Sequence, residues 1–266
     1  MPEGPEVKIA SSYFNSYFKS CKKIEFEILT NYYQEKYGEI FKKINSEIDL
    51  YPQSYTIGKN IFIDLKNDLI FNFHLGMTGG WSEKKIKHCH FRIFSESKEL
   101  FYKDVRKFGK MKLITKNDFL KRFNFNYDLL NNNYNFKDHI KHLNNKIRPN
   151  KSICKILMDQ LLFPGVGNYI KSEVLYEAKL HPEEVWGKIS EKEKKNLIAI
   201  AKNIMKESYY TGGAELRDFK NPFHVSEFKL KVYGRKNTDN NNEISSITTS
   251  DNRKTWYCKK IQILKK

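Results

Sequence analysis

Apolar residues along this chain follow two different periods, and the switches between them divide it. Val7, Ala10, Phe14 and Phe18 share one helical stripe, and Pro5 suits a first turn, where its missing N–H costs nothing. A short helix is therefore expected from Glu6 to Phe18. From Lys22 to about Ile114 the period becomes two: Ile24/Phe26/Ile28, Ile61/Ile63/Leu65, Leu69/Phe71/Phe73/Leu75, Phe91/Ile93 and Met111/Leu113 alternate with polar neighbours. That alternation predicts an antiparallel β-sandwich or barrel.

An Asn-rich stretch, Asn124 to Asn135, interrupts the pattern with side chains that compete for backbone hydrogen bonds. The domain linker is expected there, over 124–140. A period of 3.6 follows in Ile153/Ile156/Leu157/Leu161, Ile170/Val174/Ala178 and Leu197/Ala201/Ile204, the last behind a Ser190-x-x-Glu193 capping box. Strand alternation resumes at Phe228/Leu230/Val232, crosses a polar loop from Lys236 to Asp251 and ends near Trp256/Tyr257, as in a hairpin. The expected fold class is α+β: a β-sandwich over 1–123, a helical domain over 141–220 and a hairpin over 221–266.

Charge narrows the partner. The 266 residues carry 48 Lys+Arg against 31 Asp+Glu, a formal net charge of +17, so the expected partner is a polyanion, nucleic acid before membrane. No run approaches the ~18 apolar residues of a membrane span, and the acidic start is unlike a signal peptide. An intracellular protein, cytoplasmic or nuclear and not secreted, is expected. Cys21, Cys89, Cys154 and Cys258 are scattered without a C-x-x-C pair, which indicates neither a disulfide framework nor a cysteine zinc site. His88 and His90 could share a strand face, but no further ligand accompanies them, so no metal and no cofactor is expected.

The candidate chemistry lies at the start, Met1-Pro2-Glu3-Gly4-Pro5-Glu6. Removal of Met1 would uncover a secondary amine on Pro2 at the mouth of a helix. An α-amine titrates near pH 8, and a helix dipole disfavours its protonated form, so a neutral fraction exists at pH 7. Such an amine can attack a deoxyribose C1′, expel the base and hold the sugar as an iminium that eliminates its phosphates. Glu3 and Glu6 stand within a turn and are candidates for the accompanying proton transfers. The same residues would also serve merely to start a helix and complement its dipole.

The position of this motif resembles the formamidopyrimidine-DNA glycosylase/endonuclease VIII family. Further segments resemble the family in order: Gly58-Lys59, His74-Leu75-Gly76-Met77-Thr78-Gly79, Asp104-Val105-Arg106-Lys107-Phe108-Gly109, Pro164-Gly165-Val166-Gly167-Asn168-Tyr169 and Gly212-Gly213. The resemblance implies a β-sandwich carrying the N-terminal amine, a helix-two-turn-helix domain, and a hairpin finger on DNA. It implies Pro2, Glu3, Glu6 and Lys59 as catalytic residues, and Met77, Arg106 and Phe108 as fillers of the gap left by an extruded nucleotide. His74, Asn168 and Arg253 are implied as DNA contacts.

Many members close the finger with four cysteines around zinc, whereas here Cys258 alone stands near such a position. The hairpin end, Arg253-Lys254-Thr255-Trp256-Tyr257, is similar to the zincless finger of endonuclease VIII-like 1 proteins. Together with the start and the Phe163–Tyr169 segment, it points to that branch, hence to a bifunctional glycosylase/AP lyase for oxidised pyrimidines and hydantoins. The expected partner is damaged double- or single-stranded DNA, bound by a monomer. The alternatives are removal of 8-oxoguanine and formamidopyrimidines, or a binding protein without chemistry, which would have no use for Pro2, Glu3, Glu6 and Lys59 together. A metal-dependent nuclease lacks an evident ligand cluster.

Overall fold

The computed structural model describes residues 1–215 and 226–265. Two compact units emerge. The first comprises Met1–Pro2 and Glu6–Phe123; the second comprises Glu3–Pro5, Asn124–Ala214 and the chain from Glu227. The expected boundary between residues 220 and 221 lies outside the described residues.

In the first unit, α1 (Gly4–Tyr17) is followed by β1 (Glu25–Ile28), α2 (Asn31–Glu47), β2 (Ser54–Ile57), β3 (Asn60–Asp64), β4 (Leu69–His74), β5 (Gly79–Ser82), β6 (Cys89–Phe94), β7 (Glu99–Asp104), β8 (Lys110–Thr115) and α3 (Lys116–Arg122). The strands form two four-stranded sheets, ordered β1-β6-β7-β5 and β2-β3-β4-β8, with antiparallel pairing throughout. Facing side chains such as Phe26, Ile61, Phe71, Phe73, Phe91, Ile93 and Tyr102 fill one core with Phe14 and Phe18 of α1. Strict alternation requires this, because a one-residue slip would turn every such side chain to solvent.

Helix α2 departs from the expectation of strands alone between Lys22 and Ile114. Its buried residues Tyr33, Tyr37, Phe41 and Ile44 recur at helical spacing, and the dense β alternation on both sides masks that signal. Tyr33 stacks on His90 at 4.4 Å between ring centroids. Both His90 nitrogens are engaged, Nδ1 with Thr30 Oγ1 at 3.2 Å and Nε2 with the Asp104 carbonyl at 2.9 Å. Residue 90 is therefore a packed core histidine.

The second unit holds α4 (Phe136–Lys146), α5 (Ile153–Met158), α6 (Asn168–Glu177), α7 (Glu191–Tyr210) and the hairpin β9 (Ser245–Thr248) with β10 (Lys254–Tyr257). The stretch 124–140, expected as a linker, is folded here. Its polar side chains close local turns: Asn124 Oδ1 accepts from Asn126 N, Asn131 Oδ1 from Asn133 N, and Asn135 caps α4. Leu129 and Leu130 are buried beside them. The Ser190–Glu193 capping box forms as read. The strand expected at Phe228/Leu230/Val232 does not, because the Glu173 carboxylate of α6 accepts the backbone N–H groups of Lys231, Val232 and Tyr233 at 2.8–3.0 Å. The first hairpin strand is instead β9, inside the segment read as a polar loop.

His139 of α4 is held in this unit by a 2.7 Å hydrogen bond from Nε2 to the Leu162 carbonyl and an edge-on contact with Phe163. Burial pushes its pKa down to about 4, against the partial opposition of that hydrogen bond. The unfolded chain accepts a proton near pH 6.5 that the native state refuses, so stability is full above that pH and falls as pH drops towards 4. The loss amounts to up to about 3 kcal/mol. Thermal unfolding measured between pH 7 and 4 should show this decline, and His139→Gln, which still reaches the carbonyl, should flatten it.

Candidate active site

The first unit contains an open cavity of about 910 Å³, lined among others by Met1, His74, Met77, Arg106 and Phe108. Two loops build its rim. Thr78 Oγ1 donates to Asp104 Oδ1, Gly109 N donates to Asp104 Oδ2 at 2.7 Å, and Arg106 N donates to Thr78 Oγ1 at 3.0 Å. The fully buried Asp104 thus ties the loop carrying Met77 to the loop carrying Arg106 and Phe108. Gly76 makes the approach possible: its φ is +69°, and a Cβ there would lie 2.5 Å from the Phe108 carbonyl carbon. The Arg106 guanidinium lies 4.7 Å from the centre of the Phe108 ring, and Phe108 is exposed. A flat cation on an aromatic wedge can follow a stack of bases.

His74 accepts the Gly76 N–H on Nδ1 at 2.9 Å, so its neutral ring carries the proton on Nε2. Burial first, then the charges of Lys59 and Lys110, hold its pKa below the usual histidine value. His74 is accordingly an uncharged donor at neutral pH. Lys59 is buried, while Lys36, Lys107, Lys110, Lys112 and Arg122 bring further positive charge to the cavity wall. Tyr32 and Lys36 come from α2, so the helix missed in the sequence supplies one side of the cavity.

In the second unit, the segment Glu3–Pro5 is threaded against the start of α6. Gly4 N donates to the Gly165 carbonyl at 2.8 Å. The Glu3 carboxylate accepts Tyr169 N on Oε1 at 2.9 Å and Ile170 N on Oε2 at 3.3 Å. These are orphan donors of the first helical turn, which a capping side chain normally takes. Gly167, the N-cap residue, has no side chain to offer. A Cβ there would sit 2.2 Å from the Glu3 carboxyl carbon, so any side chain at this position would push that carboxylate aside. Gln160 holds the preceding turn, accepting from Gly165 N at 3.1 Å and donating to the Val166 carbonyl at 2.8 Å. Pro2, bonded directly to Glu3, is buried, as is Glu6 in the first turn of α1.

Asn168 Nδ2 donates to the Lys254 carbonyl of the hairpin at 2.9 Å. A second fastening was not visible beforehand: Lys171 Nζ, with no exposed surface, pairs with Asp251 at 2.6 Å. The turn after β9 is further closed by Thr249, which bonds Asp251 and, at 2.7 Å, Thr255. Burial alone would raise the Asp251 pKa, yet its bonds to Lys171 and Thr249 outweigh it and hold the group below its ordinary value. Arg253, on the same turn, is exposed. Zinc does not fit: Cys258 is the only cysteine of the hairpin, its side chain is buried, and no group of three or more His, Cys, Asp or Glu suited to a metal occurs among the described residues.

The model for the formamidopyrimidine-DNA glycosylase N-terminal domain matches residues 1–111, and that for the H2TH domain of these enzymes matches residues 127–220. The formamidopyrimidine-DNA glycosylase of Rickettsia bellii (strain OSU 85-389) is 30% identical over 282 residues, spanning 98% of this chain and 99% of the relative. The chain belongs to the formamidopyrimidine-DNA glycosylase family. A family member from Zymomonas mobilis is 32% identical over 185 residues, 66% of this chain and 67% of its own. Among solved structures, wild-type Lactococcus lactis Fpg in complex with N7-benzyl-Fapy-dG DNA aligns with a TM-score of 0.82 and 25% identity, covering 98% of this chain and all of the other. The same enzyme with abasic-site DNA gives 0.82 at 24% identity, which speaks for the α+β fold. No described helix is long and apolar enough to cross a membrane.

Proposed function

We propose that the chain excises oxidised and ring-opened purines, of the 8-oxoguanine and formamidopyrimidine class, from damaged DNA, and then cleaves the strand at the resulting abasic site. The observation that carries this reading is the full-length likeness to enzymes named formamidopyrimidine-DNA glycosylase. It favours that substrate class over oxidised pyrimidines and hydantoins. The latter remain a second reading, supported by a hairpin that is fastened by charge and hydroxyl groups and whose single cysteine cannot hold zinc.

In the proposed mechanism Met1, which lines the cavity, is removed, and the Pro2 nitrogen thereby uncovered attacks C1′ as the base departs. The C1′–N bond to the base breaks and the base leaves protonated, the Pro2 nitrogen gives up its proton, the C1′–O4′ bond opens as O4′ takes a proton, and the resulting iminium loses the 3′ and then the 5′ phosphate by β,δ-elimination. Glu3, adjoining Pro2, relays protons, with Glu6 as the other candidate. Lys59 and His74 take phosphate oxygens, one as a charge and one as a neutral donor. Met77, Arg106 and Phe108 occupy the gap left by the extruded nucleotide, and Asn168 and Arg253 hold the backbone. Residues 1–123 would carry the amine, 141–220 and 221–266 the grip on DNA. Borohydride should trap the protein on DNA bearing formamidopyrimidine or 8-oxoguanine, and Pro2→Gly should weaken trapping. Single-turnover rates on those lesions, thymine glycol and guanidinohydantoin decide the class, and faster excision of thymine glycol would overturn it. Trapping through a lysine would overturn the role of Pro2.

A further inference from the structure

The second unit carries an open groove of about 520 Å³ whose wall includes Lys146, Arg148, Lys151, Lys155, Glu183 and Ser250. Some cations of this unit are paired, Lys231 with Glu177 and Lys265 with Glu193 among them, whereas the groove gathers three that are not. Lys151 shares Asp159 at 3.2 Å, but no carboxylate among the described residues lies within ion-pair reach of Lys146, Arg148 or Lys155. The one carboxylate on the wall, Glu183, already accepts the Ser250 N–H at 2.6 Å. Like charges gathered within about a Debye length, ~8–10 Å, repel one another unless an anion joins them.

The groove is also tied to the DNA-facing hairpin. Ser250 and Ser152 share a 2.6 Å hydrogen bond between hydroxyls. Ser250 belongs to the turn that Lys171 and Asp251 lock, and that turn presents Arg253 three residues on. No aromatic side chain lines the groove, so it offers no platform on which bases could stack. We infer that this groove is a second phosphate track, which holds the sugar–phosphate backbone of duplex DNA without reading its sequence and extends the contact made through Arg253. The inference rests on the DNA-binding reading above.

Each phosphate neutralised on B-DNA adds about 0.9 to the slope of log K against log salt. The triple variant Lys146→Gln/Arg148→Gln/Lys155→Gln should therefore lower that slope by about 2 to 3 for a 25-base-pair undamaged duplex, measured on the full chain by fluorescence anisotropy. The charge-preserving variant Lys146→Arg/Arg148→Lys/Lys155→Arg should restore it. An equal loss of charge from the exposed side of α7, Lys192→Gln/Lys195→Gln/Lys206→Gln, should change it by less than 1. A slope that the groove variant leaves unaltered, or that the α7 variant lowers equally, would overturn the track. Excision by the unmodified protein is measured alongside, so that failure of the glycosylase reading is told apart from failure of the groove.

Discussion

Glutamine in place of Glu3 should slow base removal by about 10²–10⁴-fold, the contribution of a positioned proton-transfer group, while leaving most of the fold intact. Glutamine keeps a carbonyl oxygen for Tyr169 N or Ile170 N but loses the charge that complements the start of α6, worth about 0.3–1 kcal/mol. The thermal midpoint should therefore fall by only a few degrees. Two measurements separate the roles. Single-turnover excision reads the proton transfer, and borohydride trapping on a preformed abasic site reads the Pro2 amine, which the substitution leaves in place. Excision and trapping that fall together, with a large loss of stability, would reduce Glu3 to a cap.

Lys171→Met should be the most damaging change to the second unit. Removing one partner of a buried ion pair leaves the other charge uncompensated and costs about 3–5 kcal/mol, a large part of the 5–15 kcal/mol that sustains a domain. Asp251 would be that stranded charge, and the Arg253 turn would lose its anchor. Denaturant unfolding should register the loss, and affinity for lesion DNA should fall with it. The double variant Lys171→Met/Asp251→Leu should recover most of the stability, because a well-packed apolar pair commonly replaces a buried ionic one without penalty. If the single variant unfolds at the same denaturant concentration as the unmodified chain, the pair is not what secures the turn.

The parts of the fold legible in the sequence are those whose period is set by a single buried face. The alternating runs became β1, β3, β4, β6 and β8, and the stripes around Ile153, Val174 and Ala201 became helices. Elements stayed hidden where packing overrides composition. Helix α2 is bounded by strands and rich in tyrosine and lysine. Strand β9, Ser-Ser-Ile-Thr, looks like loop until its partner β10 is in register. Of the candidate site, the motifs supplied the candidate residues, but no spacing rule predicts the roles of Asp104 or the Lys171–Asp251 pair. Asp104 sits inside a motif noticed for its arginine and phenylalanine, and 80 residues separate Lys171 from Asp251. Gly167 is the converse case: a glycine turn entering a helix leaves free N–H groups suited to an anion, and the occupant is the chain's own Glu3.

The clasp beneath the hairpin bears on the chemical conditions this protein tolerates. Thiolate–metal fingers come apart when a chelator withdraws the ion, or when peroxide converts their sulfurs to sulfenic acid. An ammonium, a carboxylate and two threonine hydroxyls present neither vulnerability, and the complete burial of Lys171 limits how far dissolved salt screens the pair. A hairpin fastened in this way keeps its fold in the oxidising surroundings in which DNA bases are damaged.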